Sequence, residues 1–249
     1  MPKYLETVQG RRIAYSKSKG KSPTVVFLGG FKSDMEGVKA KYLEGWARHT
    51  GRSFLRFDYS GHGKSSGVFT DGCIGDWTED SQAVLEVLTD GPSVLIGSSM
   101  GGWISLLLAK RQPKRIDGLL TIAAAPDFTQ DSMWSSFSES QKEEIMTKGL
   151  TLLPSDYGDP YPITRKLIED GKNNLVLQEP LKFDFPVRML QGSLDNSVTR
   201  ATALQLFDHL EAADLKLSFI KGGDHSFSTL NCLEIIGTTL NDLFNSLDV

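Results

Sequence analysis

The sequence predicts an α/β fold with a mostly parallel central sheet, helices on both faces and an inserted helical lid. Two observations carry this. Strand-like apolar runs alternate with helix-period segments along most of the 249 residues. Several of those runs, such as Thr24-Val25-Val26-Phe27-Leu28, are apolar throughout rather than alternating, as strands buried on both faces are. The alternation lapses over one block, so residues 1–125 and 185–249 read as the core and 126–184 as the lid.

Residues 4–8 and 12–16 read as two strands around Gln9-Gly10. The strand at 24–28 follows. Asp34 is a candidate cap for a helix running to about His49, which Gly51 ends. A strand at 53–57 leads to a helix at 74–88, where Ala83, Val84, Val87 and Leu88 share one face. A strand at 93–96 and a helix at 100–111 come next, with Pro113 as a stop, then a strand at 118–125. Between 126 and 184 there is no strong strand. Helical pieces at 138–148 and 164–170 flank a Pro- and Gly-rich stretch at 153–160. Strands at 186–190 and 215–220 and helices at 199–209 and 230–247 complete the chain.

A chain of this length can bury a sizeable core as one domain. Apolar residues make up 39% and charged residues 23%, and the net charge is −4 with the basic residues scattered, which argues against nucleic acid as a partner. Two distant cysteines, Cys73 and Cys232, form neither a disulfide framework nor a metal site. No apolar run reaches membrane-span length, so no stable membrane anchor is expected. The N-terminus reads neither as a signal peptide nor as a presequence, which favours a reducing, cytoplasmic setting.

Gly97-Ser98-Ser99-Met100-Gly101 fits G-x-S-x-G, with a strand before it and a helix after it. That is the context of a nucleophile elbow, a sharp turn that lifts one serine hydroxyl clear of a sheet. Gly63-Lys64-Ser65-Ser66-Gly67 fits the same pattern without that context, so Ser65 reads as a loop residue. The same loop lacks the first glycine of a phosphate-binding motif, because Asp58 stands there.

A serine hydroxyl needs a general base, and a histidine base needs a carboxylate to orient it. On this fold the order is serine, acid, histidine. His225 alone follows the elbow in a loop directly after a strand. His49 and His209 sit near helix ends, and His62 sits in a Gly-rich loop where a turn role outweighs a substrate contact. Asp195 is the carboxylate of the loop after the 186–190 strand; Asp224, beside His225, is its rival, but neighbouring side chains in an extended loop point apart, which favours Asp195. Asp58 reads as a carboxylate that ties turn amides. The oxyanion donors are expected to be the backbone N–H groups of Met100, at a helix N-terminus, and of Phe31, after Gly29-Gly30.

These residues resemble the α/β-hydrolase superfamily over nearly the whole chain outside the lid. Arg56-Phe57-Asp58-Tyr59-Ser60-Gly61, Gly91-Pro92 before the elbow, Gly102-Trp103 after it and Leu153-Pro154-Ser155-Asp156-Tyr157 are similar to the mitochondrial palmitoyl-protein thioesterase and acyl-glucuronide esterase type of abhydrolase. Gly29-Gly30 departs from the His-Gly that many superfamily members carry at the oxyanion loop. The resemblance implies a cofactor-free serine hydrolase acting on small acyl esters or thioesters, S-acylated protein included. The mitochondrial relatives are imported, whereas this chain lacks a presequence, so a bacterial cytoplasmic protein is expected, or a mitochondrial matrix one if the chain is trimmed. A C–C bond hydrolase, a perhydrolase and a small-molecule receptor share this fold and remain as alternatives. Substrate choice is assigned to the lid. There Met133, Trp134, Phe137, Ile145, Met146, Leu150, Leu152 and Leu153 either line an acyl pocket or form the lid's own core, with Trp134, Phe137 and Leu153 as the candidate contacts.

Overall fold

The computed structural model describes residues 2–154 and 160–247. Strands β1 (Lys3–Glu6), β2 (Arg12–Ser18), β3 (Lys21–Leu28), β4 (Arg52–Phe57), β5 (Ser93–Ser98) and β6 (Ile116–Ile122) precede the break in the alternation. Strands β7 (Leu150–Leu153), β8 (Tyr161–Thr164) and β9 (Leu181–Phe183) fall within it, and β10 (Val187–Gly192), β11 (Leu210–Ala212) and β12 (Leu215–Ile220) follow. The helices are α1 (Val38–Thr50), α2 (Ile74–Leu88), α3 (Met100–Arg111), α4 (Glu139–Lys148), α5 (Arg165–Asn173), α6 (Arg200–His209) and α7 (Leu230–Leu247).

The main sheet has the order β1-β2-β4-β3-β5-β6-β10-β12. β1 and β2 join antiparallel, and every pairing from β4 onward is parallel. The order places β4 on one side of β3 and β5 on the other, so the chain reverses direction across the sheet there. In open parallel sheets such a switch point opens a crevice at the carboxyl ends of the strands, where ligands bind.

Alternation along the central strands explains why both faces are covered. Val25, Phe27, Val94, Ile96, Leu120 and Ile122 pack with α1 and α7, while Val26, Leu28, Leu95 and Leu119 pack with α2, α3 and α6. Each strand therefore reads as a continuous apolar run. Helix α3 lies deepest: its residues from Met100 to Ala109 are all buried, and the Trp103 indole donates to the Asn174 carbonyl at 2.9 Å, a packing role.

Three sequence expectations need correction. Asp34 does not cap α1. The helix starts later, after Gly37, because Met35 is buried and held at both backbone groups: its N–H donates to Asp58 Oδ1 at 2.6 Å and its carbonyl accepts from Arg56 at 2.6 Å. Asp34 instead accepts from the Glu36 N–H at 2.8 Å within that turn. The strand expected at 118–125 ends at Ile122, where Ala123 turns with a φ of 48°. The 126–184 block also contains strands. β7 and β8 pair antiparallel, and β9 pairs parallel with β11. Strands of three or four residues are too short to show a period, and Pro162 in β8 disguises one further.

The two helices expected in this block are present as α4 and α5, capped by the Ser138 and Thr164 side chains. A single π-helical turn at Thr129–Trp134 was not anticipated. Asp127 anchors the start of the block: buried, its carboxylate accepts from the N–H groups of Val176 and Leu177 at 2.8 and 2.9 Å. Residues 155–159 of the Pro- and Gly-rich stretch, including most of the Leu153–Tyr157 motif, lie outside the described residues.

Packing is very close between α3 and the end of β3. A Cβ on Gly101 would stand 2.1 Å from the Leu28 carbonyl oxygen and 2.6 Å from that of Gly29, both backbone atoms with nowhere to move. Gly101→Ala is therefore expected to cost roughly 3 kcal/mol as an overpacked core. The expected fall in melting temperature is roughly 10 °C, read by thermal unfolding; an unchanged melting temperature would contradict this packing.

Candidate active site

β5 delivers the chain to Ser99, whose φ of 54° and ψ of −118° lie outside the regions a serine favours. Such a residue persists only where its surroundings over-determine it. Here the Ser99 N–H donates to the Ile122 carbonyl at 2.9 Å, and its carbonyl accepts from Gly102 and Ala125 at 2.8 and 3.1 Å. Both backbone groups are thus pinned by the neighbouring strand end and the helix that follows, and the side chain projects at the carboxyl edge of the sheet.

Asp195 and His225 follow β10 and β12, at the same edge. His225 Nε2 lies 3.0 Å from Ser99 Oγ, and His225 Nδ1 lies 2.9 Å from Asp195 Oδ2. A carboxylate can only accept, so Nδ1 carries the proton and Nε2 is free to accept from the serine hydroxyl. The Asp195 side chain is fully buried. Burial alone would raise its pKa, but the bond to His225 and the backbone N–H groups of Val198 and Ser197, at 2.8 and 2.9 Å, outweigh that and leave it lowered. Asp224 turns away from this chain of bonds: its carboxylate accepts from the Phe227 N–H at 2.9 Å and from the Ser226 hydroxyl.

Gln191 was not singled out from the sequence. Only 1% exposed, its Nε2 donates to Asp195 Oδ2 at 3.0 Å and to the Val198 carbonyl at 2.9 Å. The carboxylate thus meets four donors, two on each oxygen. A glutamine directly after the strand expected at 186–190 was the available signal, since a buried amide must find partners.

Met100 is the first residue of α3, so its N–H is one of those a helix leaves without an intrahelical partner. Phe31 lies across the crevice in the loop after β3, and Phe31 and Met100 both line a cavity with Ser99 and His225. Ser65 is structural: its hydroxyl donates to the Asp58 carbonyl and accepts from the Ala14 N–H, at 2.6 and 2.8 Å. The buried Asp58 carboxylate ties the N–H groups of Met35 and Lys64 at 2.6 and 2.8 Å. His62 is buried, with both ring nitrogens engaged by main chain.

Two cavities meet at Ser99, sharing Phe31, Tyr161, Ser197 and His225. One, of about 340 Å³, is the more apolar, with Met100, Ala125, Phe128, Met133 and Val198 on its wall beside Ser132 and Asn196. The other, of about 390 Å³, is mixed, with Lys32, Ser33, Lys39 and Ser226 beside Phe31 and Tyr161. Desolvation by burial pushes the Lys39 ammonium down to about 8, and its Nζ donates to the Ser226 carbonyl beside His225.

Trp134, Phe137 and Leu153 do not line either cavity. Phe137 is buried against the core, and Trp134 and Leu153 pack against the same apolar cluster. Ile145 is buried too, whereas Met146, Leu150 and Leu152 are exposed. Met133 is the member of the expected set that reaches the cavity. Phe128 and Tyr161 were missed, because their facing depends on a π-turn and a four-residue strand. Among the described residues, no group of His, Cys, Asp or Glu is arranged to hold a metal ion.

The protein-family description "serine aminopeptidase, S33" matches residues 21–157. The mitochondrial palmitoyl-protein thioesterase ABHD10 of Mus musculus is 34% identical over 98% of this chain and 82% of its own length. The solved mouse α/β hydrolase domain-containing protein 10 superposes with a TM-score of 0.91 at 31% identity, over 99% of each chain. A solved protein of Agrobacterium vitis S4 superposes with a TM-score of 0.92 at 34% identity, over 98% of each. The chain has the α/β-hydrolase fold, and it belongs to the serine aminopeptidase S33 family.

Proposed function

We propose that the chain hydrolyses carboxylic esters and thioesters through an acyl-enzyme on Ser99, with His225 as the base and Asp195 as its orienting acid. The observation that carries this reading is the hydrogen-bonded chain Ser99 Oγ–His225 Nε2 and His225 Nδ1–Asp195 Oδ2, at 3.0 and 2.9 Å. Ser99 Oγ attacks the acyl carbon while its proton passes to His225 Nε2. The oxyanion forms between the N–H groups of Phe31 and Met100, donors that need no reorganisation because loop and helix hold them in place. Collapse breaks the C–O or C–S bond, and His225 returns the proton to the leaving alkoxide or thiolate. Water then attacks the acyl-enzyme and gives its proton to His225. The second collapse releases the carboxylic acid and restores the Ser99 hydroxyl. Asp195 stays ionised throughout and stabilises the imidazolium form.

The more apolar cavity suits the acyl chain, and the mixed one, where Lys32 and Lys39 stand, the leaving group. Relatives named palmitoyl-protein thioesterases support a long-chain thioester, S-acylated protein included, as the substrate class. In this reading residues 126–184 act as a cap, because Phe128, Met133 and Tyr161 from that block wall the apolar cavity.

Ser99→Ala is expected to lower turnover of a p-nitrophenyl ester at least about 10⁴-fold, since residues acting as a unit fail together. It should also abolish fluorophosphonate labelling; undiminished turnover would refute the assignment.

Asp195→Asn presents an N–H to His225 Nδ1 and favours the wrong tautomer, so a loss of about 10³–10⁴ in kcat is expected. The same pair tests linkage. The folded pKa of Asp195 is depressed, so its contribution to stability is complete above the unfolded value of about 3.9. It is lost as pH falls through the lower, folded value. The stability difference between wild type and Asp195→Asn, followed by urea unfolding, should hold or widen from pH 7 to about 4, as the imidazolium that Asp195 stabilises forms, and shrink only below that; a difference that shrinks between pH 7 and about 5 would contradict the direction of the shift.

A panel of saturated acyl p-nitrophenyl esters should show kcat/KM rising about fourfold per methylene until the apolar cavity is full. Met133→Trp should shift that maximum to a shorter chain. A flat profile in the wild type would remove the acyl assignment of this cavity.

A further inference from the structure

The mechanism leaves one buried titratable group unused, His62. It lies in the loop that follows β4 and reaches across to the loop that follows β3, where Phe31 sits. Its two ring nitrogens have different partners. Nδ1 lies 3.1 Å from the Ser60 carbonyl, which can only accept, so Nδ1 is protonated. Nε2 accepts the Lys32 N–H at 3.2 Å. One neutral tautomer satisfies both bonds. Desolvation by burial pushes the imidazole down to about 4, which keeps it in that form at neutral pH. Tyr59, Phe69 and Trp77 pack edge-on around the ring at centroid distances of 5.5, 5.2 and 5.1 Å. Ser60 is itself anchored, by the Trp77 indole on its carbonyl at 3.1 Å and by Asp80 on its N–H at 2.8 Å.

What His62 holds is a strained turn. The Ser33 N–H donates to the Gly30 carbonyl at 3.1 Å, closing a four-residue turn with Phe31 and Lys32 at its centre. Lys32 has a φ of 56°, and Phe31 is not among the residues of positive φ. That is the pattern of a type II turn, whose third position belongs to glycine. A lysine there pays a steric cost, and opening the turn would relieve it and move the Phe31 N–H. The bond from the Lys32 N–H to His62 opposes that opening. The turn is held at its entry as well, where the Tyr59 hydroxyl donates to the Gly29 carbonyl at 3.1 Å.

We propose that His62 is the positioning residue of the oxyanion site: through the Lys32 N–H it holds the 30–33 turn in the conformation that presents the Phe31 N–H. The inference rests on the assignment of Phe31 as an oxyanion donor made above. It has a readout of its own. A thionoester replaces the carbonyl oxygen by sulfur, which fixed N–H donors stabilise poorly. The ratio of kcat/KM for an ester to that for its thionoester therefore measures the oxyanion site rather than general stability.

His62→Met keeps the size of the side chain and removes the acceptor. It is expected to lower this ratio roughly tenfold, a fraction of the 10²–10³ lost when a donor is removed outright. His62→Gln returns an acceptor near Nε2 and should hold the ratio within about threefold of wild type. Lys32→Gly in the His62→Met background makes the positive φ acceptable without the bond and should restore most of the ratio. If His62→Met does not fold, replacing the Lys32 amide N–H by an ester oxygen removes the same bond with every side chain in place, and the ratio should fall likewise. An unchanged ratio in His62→Met or in the backbone ester would overturn the inference, as would an equal fall in His62→Gln. A wild-type ratio near unity would instead overturn the oxyanion assignment itself, and this inference with it.

Discussion

The rest of the site depends on how closely the start of α3 approaches the end of β3. A Cβ on Gly101 would stand 2.1 Å from the Leu28 carbonyl oxygen, and one on Gly97 would stand 2.4 Å from the Gly101 carbonyl oxygen. Only bare backbone lets helix and strand close to that distance. The closure forces Ser99 into its positive φ, and the bonds to Ile122, Gly102 and Ala125 hold it there. It also brings the Gly29–Lys32 loop beside the first N–H groups of α3. The proposed nucleophile and oxyanion donors are thus set by a single packing event at the switch point of the sheet, where β4 and β5 lie on opposite sides of β3.

Around that contact the polar groups form a second layer of constraint. The loop after β4 carries Asp58, Tyr59 and His62, and each bonds a different main-chain group of the loop after β3: Met35 N–H, Gly29 carbonyl and Lys32 N–H. Burial raises Asp58, and its bonds to Lys64 and Met35 oppose this only in part. A buried carboxylate is costly unless its lone pairs are filled, and here two amides fill them. On the other side of Ser99, Gln191 and two backbone amides do the same for Asp195. The machinery rests on loops, yet these loops are cross-braced, which is how a site on loops acquires the rigidity that positioned donors need.

The wall of the more apolar cavity is built differently. Phe128, Met133 and Tyr161 come from a turn, a π-helical segment and a four-residue strand, while Phe137 and Ile145 pack into the same apolar core as the central sheet. Apolar side chains at neighbouring positions diverge, some toward the cavity and others into the protein.

The sequence by itself determined the elements whose cause is local or periodic. The boundaries of α2, α3, α7 and β12 were legible because their apolar spacing is sustained, and the elbow was legible because strand, glycines, serine and helix adjoin in the chain. Ser99, Asp195 and His225, which the structure joins by hydrogen bonds, could be named as candidates from order and loop position alone. Tertiary structure decided whatever depends on partners far apart in the chain. Asp58 delays the start of α1 by holding Met35, 23 residues away; His62 reaches Lys32, 30 residues away; and Tyr161 meets Ser99 across a cavity. A hydrogen bond or a cavity wall between distant residues leaves no period in the sequence. It exists only once the sheet has brought the loops to one edge, and the physics that selects it is the need of each buried polar group for a partner.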